Sequence, residues 1–499
     1  MEYIHAIERP NSLRSSAISV KIQVLMQKSG VAFGTSGTRG LVTQMTDEVC
    51  AAYVSAFLTV VARSFNFKRV ALGMDLRPSS PAIAAACAKA IRAAGFNVDF
   101  CGALPTPALA LHAQHEQIPA IMVTGSHIPF DRNGIKFYRP DGEISKADES
   151  AMLELHVELA AASAPQALPA INNFAINAYE QRYTNFFSAG MLAGLRLGLY
   201  EHSSVARDSL RRILEKLGAE VVSLGRTEVF VPIDTEAVSA EDIKQGRDWS
   251  AEYGFDAIIS TDGDGDRPLI SDEHGNWLRG DMVGLLCARY LGAKMLAVPV
   301  SCNTAIEQCG AFNTVIRTKI GSPYVIAVMQ GIEDGTETIA GFEANGGFLL
   351  GSNITKNGKY LTALPTRDAV LPVLAILAAC REAGVPISGL IQLLPKRFTY
   401  SDRIQNFPIE TSKSLIEDWS GDPALFISFV NNRFEMPYKQ DITDGLRLTF
   451  SDGDVIHLRP SGNAPELRCY CESDTSEKAE SNTKYVLSQI TKISADANL

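Results

Sequence analysis

RVALGMDLRPSSPAIAAACAKAIRAAGFNVDFCG, residues 69 to 102, reads as strand, helix, strand. Its first seven residues are a short apolar run of the kind that forms a buried strand. Ile83, Cys87 and Ile91 then recur four residues apart and share one helical face, and Gly95 is placed to end that helix. Residues 96 to 102 form the next strand. The unit returns as "LRLGLY", "SVARDSLRRILEKLG" and "AEVVSLG" across 195 to 225. It recurs more loosely from "KMLAVPV" (294 to 300) through "SPYVIAVMQG" (322 to 331) to "TIAGFE" (338 to 343). Three such units in series predict three α/β domains with parallel or mixed sheets. After Pro395 the pattern changes. Short alternating segments, "GLRLTF" and "DVIHLRP", are separated by Asp-Gly turns, and a polar helix follows at 475 to 493. That predicts a C-terminal α+β domain with an antiparallel sheet. The expected domains are 1–172, 173–284, 285–397 and 398–499, with "AASAPQALPAINN" (161 to 173) as the clearest linker.

Composition narrows the function classes. The 499 residues are 46% hydrophobic and 20% charged, which suits globular domains with sizeable cores. A net charge of -10 argues against a general nucleic-acid binder and against a basic membrane-surface protein. It leaves anionic substrates open, because a local arginine cluster can hold a phosphate within an acidic protein. The nine cysteines have no repeated spacing, and Cys469 and Cys471 stand too close for a zinc knuckle, so free thiols in a reducing cytosol are expected. The opening "MEYIHAIERPNSLRSS" lacks the apolar core of a signal peptide. "AVLPVLAILAAC" (369 to 380) contains Pro372 and falls short of the roughly 20 residues a bilayer span needs; it reads as a buried helix. The expectation is a cytoplasmic protein without membrane or nucleic-acid partners. Oligomeric state leaves no mark in the sequence.

Four segments carry chemistry. "TGSHIPFDRNGIKFY" (124 to 138) leaves a predicted strand, "IPAIMV", at the end where α/β sheets gather ligands. Ser126 is either a turn residue capping a backbone group or a nucleophile, with Gly125 permitting an unusual backbone at the serine. Lys136, downstream in the same loop, is a candidate cation or proton carrier. His127 should point away from its neighbour, so no dyad is expected. "IISTDGDGDRP" (258 to 268) places Asp262, Asp264 and Asp266 two apart, so an extended loop would turn them to one side, toward a hard cation such as magnesium. A calcium loop of the EF-hand type fits Asp262, Asp264, Asp266 and Glu273, but Arg267 and Pro268 stand where its glycine turn should be, and a strand rather than a helix precedes it. Arg267 could hold a phosphate. In "RPSGNAPELRCY" (459 to 470), Arg459 and Arg468 bracket a turn of Ser461, Gly462 and Asn463, a phosphate cradle by composition. In "GFEANGG" (341 to 347), Glu343 and Asn345 are a carboxylate and an amide suited to sugar hydroxyls.

Taken in order, these segments resemble the α-D-phosphohexomutase family, over nearly the whole chain. "FGTSGTRG" (33 to 40), "GMDLRPSS" (73 to 80) and "GALPTPAL" (102 to 109) are also similar to family segments. The resemblance implies three α/β domains and a fourth with an antiparallel sheet around one central cleft. It implies a phosphorylated Ser126 and Mg2+ held by Ser126, Asp262, Asp264 and Asp266. Arg39 and Arg267 would lie near the phosphoserine, and Lys136 would act as general acid/base. Lys319 in "RTKIG", Glu343 and Asn345 would face the sugar. Arg459, Ser461, Asn463 and Arg468 would grip the phosphate not being transferred. The implied reaction is a 1,6 phosphoryl exchange on a hexose phosphate, with a hexose 1,6-bisphosphate as intermediate and activator. Mannose phosphate is the first-choice substrate, then glucose phosphate or both, with glucosamine phosphate behind. Rival readings are a magnesium-dependent sugar phosphatase and a non-catalytic binding protein. The chain departs from the family pattern at Asn345, where serine is usual, at Gly347, where many relatives have histidine, and at Asn463, where threonine is common.

Overall fold

The computed structural model describes residues 18–34, 37–159, 167–332, 337–460 and 465–496, Ile18 and the last four of these by backbone alone. Three of its sheets repeat one plan. In the first, strands Asn97–Ala103, Arg69–Met74 and Ala120–Val123 run parallel; the chain then turns back, and Arg132–Arg139 pairs antiparallel with Ala120–Val123. Thr38–Leu41 and Ala32–Phe33 extend that sheet on the far side, and Gly142–Glu143 pairs with Arg132–Arg139. In the second, Glu220–Leu224, Arg196–Tyr200 and Ala257–Thr261 run parallel before Pro268–Ile270 turns back. In the third, Thr314–Thr318, Met295–Pro299 and Ile339–Phe342 run parallel before Phe348–Leu350 and Leu364–Asp368 complete the sheet antiparallel.

The repeat matters for function. Each of the three chemical loops is the reversal between the third parallel strand and its antiparallel neighbour. Residues 124–131 follow Ala120–Val123, 262–267 follow Ala257–Thr261, and 343–347 follow Ile339–Phe342. Equivalent carboxyl ends of three related sheets thus supply the site, at the position where open α/β sheets bind ligands. Lys136 was expected in the serine loop; it lies instead within the strand Arg132–Arg139, opposite Met122. That strand is buried on both faces, Asn133 and Lys136 included, so it lacks the apolar alternation that marks a half-buried strand.

The fourth sheet is antiparallel throughout, in the order Phe398–Gln405, Glu466–Ser473, Val455–Pro460, Leu446–Thr449, Lys439–Asp441. The helix Ser476–Asp496 packs against it. The cradle segment joins Val455–Pro460 to Glu466–Ser473, and Ser461 and Asn463 lie outside the described residues. So does part of the expected linker; its end is fixed to the first domain, with Asn172 donating its N–H to the Phe100 carbonyl at 2.7 Å. The apolar run at 369 to 380 is the buried helix Val370–Ala383. Among the described residues no helix is long and apolar enough to cross a membrane. All nine cysteines are free thiols.

Candidate active site

Ser126 is buried, not held in the open, and its φ is +53°, a left-handed backbone uncommon outside glycine. Gly125 was expected to permit an unusual backbone at the serine, and packing gives that glycine a second purpose. A Cβ there would lie 2.6 Å from the Arg77 guanidinium carbon. Arg77 occupies the space to bind the loop from within. It donates to the carbonyls of Ser126 (2.8 Å), Ile128 (2.6 Å), Pro129 (2.7 Å) and Arg132 (3.0 Å). Asp75 fixes Arg77 and accepts hydrogen bonds from Ser80 (2.5 Å) and Thr124 (2.8 Å), while Thr124 Oγ1 accepts the Ser126 N–H at 2.8 Å. Phe230, from the second domain, covers the guanidinium at 4.0 Å. A wholly buried ion pair of this kind specifies geometry more than it stabilises the chain.

The serine hydroxyl donates to Asp262 Oδ2 at 2.6 Å, across 136 residues of sequence. Asp262, Asp264 and Asp266 are all buried, and one carboxylate oxygen of each lies within 4.8 Å of the others. They converge through a tight turn, not through the extended alternation expected. Gly265 takes φ +70°, and Asp262 Oδ1 accepts the N–H groups of Asp266 (3.2 Å) and Arg267 (3.1 Å). Lys136 Nζ bridges Asp264 Oδ2 (2.7 Å) and Asp266 Oδ2 (2.6 Å), and Thr106 Oγ1 donates to Asp264 Oδ2 at 2.5 Å. Burial pushes the Asp264 and Asp266 carboxyls up, but Lys136 beside the first and Arg367 beside the second overcome it and hold both below the usual range. Burial, with the repulsion of those two, pushes Asp262 well above it. The Oδ1 atoms of Asp264 and Asp266 are buried without a hydrogen-bond partner; Arg267 Nε stands 3.8 Å from the latter. Bare, convergent carboxylate oxygens are the donor set of a hard divalent cation, so the residues fit one.

His127 does not turn away as expected. Its Nδ1 lies 3.4 Å from Ser126 Oγ and 2.9 Å from Arg267 Nη1. Arginine can only donate, so Nδ1 is an acceptor engaged by Arg267, and the serine hydrogen goes to Asp262. Burial and the neighbouring Arg267 and Arg39 keep the imidazole neutral by holding its pKa well below the usual value. Arg39 faces the same centre; burial and the charges of Arg267 and Arg367 lower it to about 10.

The third-domain loop closes on this centre. Glu343 is buried and paired with Arg367 Nη1 at 3.3 Å. Asn345 Oδ1 accepts the Gly347 N–H at 2.9 Å, so its NH2 is the part left for a ligand, and the Asn345 carbonyl accepts from Thr235 Oγ1 of the second domain at 2.7 Å. Lys319 stands exposed at the rim. The next residue, Ile320, donates its N–H to Asp444 Oδ2 at 2.9 Å, and the same oxygen accepts Arg459 Nε at 2.8 Å. Arg468 pairs loosely with Glu466 at 3.4 Å and has a buried Nε without a partner. Arg267 Nε and Arg279 Nη2 are likewise buried without a hydrogen-bond partner. Glu236, pushed up by burial, is in electrostatic reach of Arg279, Arg468 and Arg267. Sequence reading missed Asp75, Arg77, Thr106, Glu236, Arg279 and Arg367. Asp75, Arg77 and Thr106 lay inside family-like segments that carried the only signal available.

Four models describing phosphoglucomutase/phosphomannomutase domains match the chain in order. The alpha/beta/alpha domains I, II and III match residues 30–160, 177–275 and 279–398, and the C-terminal domain matches 430–486. The chain belongs to the α-D-phosphohexomutase family. Family membership makes it an intramolecular phosphotransferase. A phosphomannomutase of Salmonella muenchen is 51% identical over 466 residues, covering 93% of this chain and 97% of its own. One from Sinorhizobium fredii is 47% identical over 460 residues, covering 90% and 97%. Among solved structures, a putative phosphomannomutase from Thermus thermophilus shares the fold at a TM-score of 0.72 and 19% identity, over 93% of this chain and 99% of its own. An Aspergillus fumigatus N-acetylphosphoglucosamine mutase in complex with glucose 1,6-bisphosphate matches at 0.57 and 12% identity, over 94% and 98%.

Proposed function

We propose that this phosphohexomutase interconverts mannose 6-phosphate and mannose 1-phosphate through phospho-Ser126. The observation that carries the reading is the 2.6 Å contact between Ser126 Oγ and a carboxylate trio with bare oxygens, at the meeting point of three loops. The mannose preference is supported by the two phosphomannomutases at 51% and 47% identity.

Asp262, Asp264 and Asp266, together with the phosphorylated Ser126, are the residues that would hold Mg2+, which would supply neutralisation of phosphoryl charge there. Arg267 and Arg39 line the path of that group, and His127, kept neutral, holds Arg267 in place. Lys136, an ammonium donating to Asp264 and Asp266, is the candidate general acid/base: it gives up a proton to the solvent or to a departing oxygen before it can take the proton of the attacking sugar hydroxyl. Glu343, Asn345 and Lys319 orient the sugar. Arg459, Arg468, Ser461 and Asn463 grip the phosphate at the far end, so the hexose 1,6-bisphosphate intermediate can turn and present either phosphate to the serine. The same bisphosphate primes an unphosphorylated chain.

Mass spectrometry of the isolated protein should find phosphate on the peptide containing Ser126, and 1-phosphates of mannose, glucose and glucosamine should be isomerised in that order of efficiency. Release of inorganic phosphate in step with turnover would replace the mutase reading with a phosphatase. Full activity without any phosphopeptide would remove Ser126 from the chemistry.

A further inference from the structure

The acidic trio presents a lopsided face to a cation. On Asp264, Oδ2 is held by Thr106 and Lys136; on Asp266, Oδ2 is held by Lys136 at 2.6 Å and by Arg367, whose Nε and Nη2 lie 3.1 and 3.0 Å away. The Oδ1 of each has no hydrogen-bond partner, with Arg267 Nε standing off at 3.8 Å from that of Asp266. Arg367 comes from the strand Leu364–Asp368 of the third domain, is 2% exposed, and reaches Glu343 Oε2 with its remaining arm at 3.3 Å. Its aliphatic stem fills the place of a side chain at 347: a Cβ on Gly347 would lie 2.6 Å from Arg367 Cδ.

We propose that Arg367 is a positioning residue that sets which cation the trio accepts, by confining Asp266 to coordination through Oδ1 alone. The inference rests on the reading of the trio as a cation site. A carboxylate can bind a metal through one oxygen or both. Magnesium requires near-octahedral geometry at about 2.0–2.1 Å, whereas calcium takes about 6–8 oxygens at longer range and readily uses both oxygens of one carboxylate. With two guanidinium nitrogens and one ammonium on it, Asp266 Oδ2 has no lone pair left to offer. A larger cation therefore finds one ligand too few. Lys136 alone would not impose this, because its single ammonium is shared between two carboxylates and is free to rotate. The charge of Arg367 weakens the binding of every divalent ion alike. Its geometry discriminates among them, so the ratio of affinities is the signature of positioning.

Isothermal titration calorimetry of the full chain with magnesium chloride and with calcium chloride, at one ionic strength, separates the two effects. Arg367→Met should raise the calcium-to-magnesium affinity ratio about tenfold over wild type. Arg367→Lys keeps the charge but offers one donor centre, and should move the ratio the same way with less gain in overall affinity. It also decides the matter if Arg367→Met loses its cooperative thermal transition. Affinities that shift together, leaving the ratio unchanged, would reduce Arg367 to a bare charge and overturn the proposal while leaving the cation site intact. A wild-type chain that binds neither ion would overturn both.

Discussion

The first three domains and the last are built into the molecule differently. One continuous apolar core runs from Ile22 through Tyr179, Ile259 and Phe342 to Leu394, so the three α/β sheets share their buried surface. Tyr179 and Tyr183 of the helix Phe174–Phe186 both donate to Asp368, tying the start of the second domain to the third. The C-terminal domain has a core of its own, from Phe407 to Ile490. Polar contacts join it to the rest. Asn303 Nδ2 donates to the Arg397 carbonyl (3.0 Å) and to Thr399 (2.9 Å), Thr304 donates to Glu472, and Ile320 donates to Asp444. Apolar burial couples domains strongly, while a hydrogen bond, even a part-buried one such as those of Asn303 and Glu472, nets about 1 kcal/mol because water satisfies the same groups when they part. The serine, the trio and the Glu343 loop thus sit in one block on a shared core, while the C-terminal domain, proposed to grip the distant phosphate, has its own and is expected to swing.

Kinetics offer the hardest test of that contrast. Ser126→Ala strikes the block and should lower kcat by on the order of 10⁶-fold, with hexose phosphate still bound in a direct binding assay. Arg468→Met strikes the swinging domain and should raise KM by about 100-fold, with a smaller fall in kcat, the loss of one charged hydrogen-bonding partner. Equal damage to kcat from both would dissolve the division of labour.

Acid sharpens the comparison. His202 in the block donates to the Thr261 carbonyl at 2.9 Å, and His457 in the last domain donates to the Asp444 carbonyl at 2.7 Å. Burial lowers both to about 4. The unfolded chain takes up protons below about pH 6.5 that the folded chain refuses. Stability is therefore full above pH 6.5 and falls as pH drops toward 4, by up to about 3 kcal/mol for each histidine. His457→Gln should flatten this slope in the calorimetric transition of the C-terminal domain and leave that of the block unchanged.

The smallest effect belongs to the third-domain loop. Gly347→Ala should cost about 1–3 kcal/mol of stability by pressing on the Arg367 stem, read as a lower Tm. The cost should shrink in an Arg367→Met background, because the two sites share one space.

What could be read in the sequence was whatever is local. The strand–helix–strand units, the Asp262–Asp266 run and the Ser126 turn each lie within a few dozen residues, where periodicity and spacing speak. What stayed hidden depends on the meeting of distant segments. Thr106 meets Asp264 across 158 residues and Arg367 meets Asp266 across 101. An arginine in "PTRDAV" carries no local mark of its partner. Gly125 and Gly347 were visible as glycines, but the reason lay in Arg77 and Arg367, which only packing brings beside them. His127 defeated a rule about neighbouring side chains because Ser126 bends the backbone between them.

That bend also limits which residue could stand in for Ser126. A backbone at φ +53° admits serine at modest cost but penalises a side chain branched at Cβ. Threonine, which offers a phosphorylatable hydroxyl of nearly equal chemistry, is thereby shut out. In the role proposed for Ser126, the backbone thus favours a primary alcohol over a secondary one.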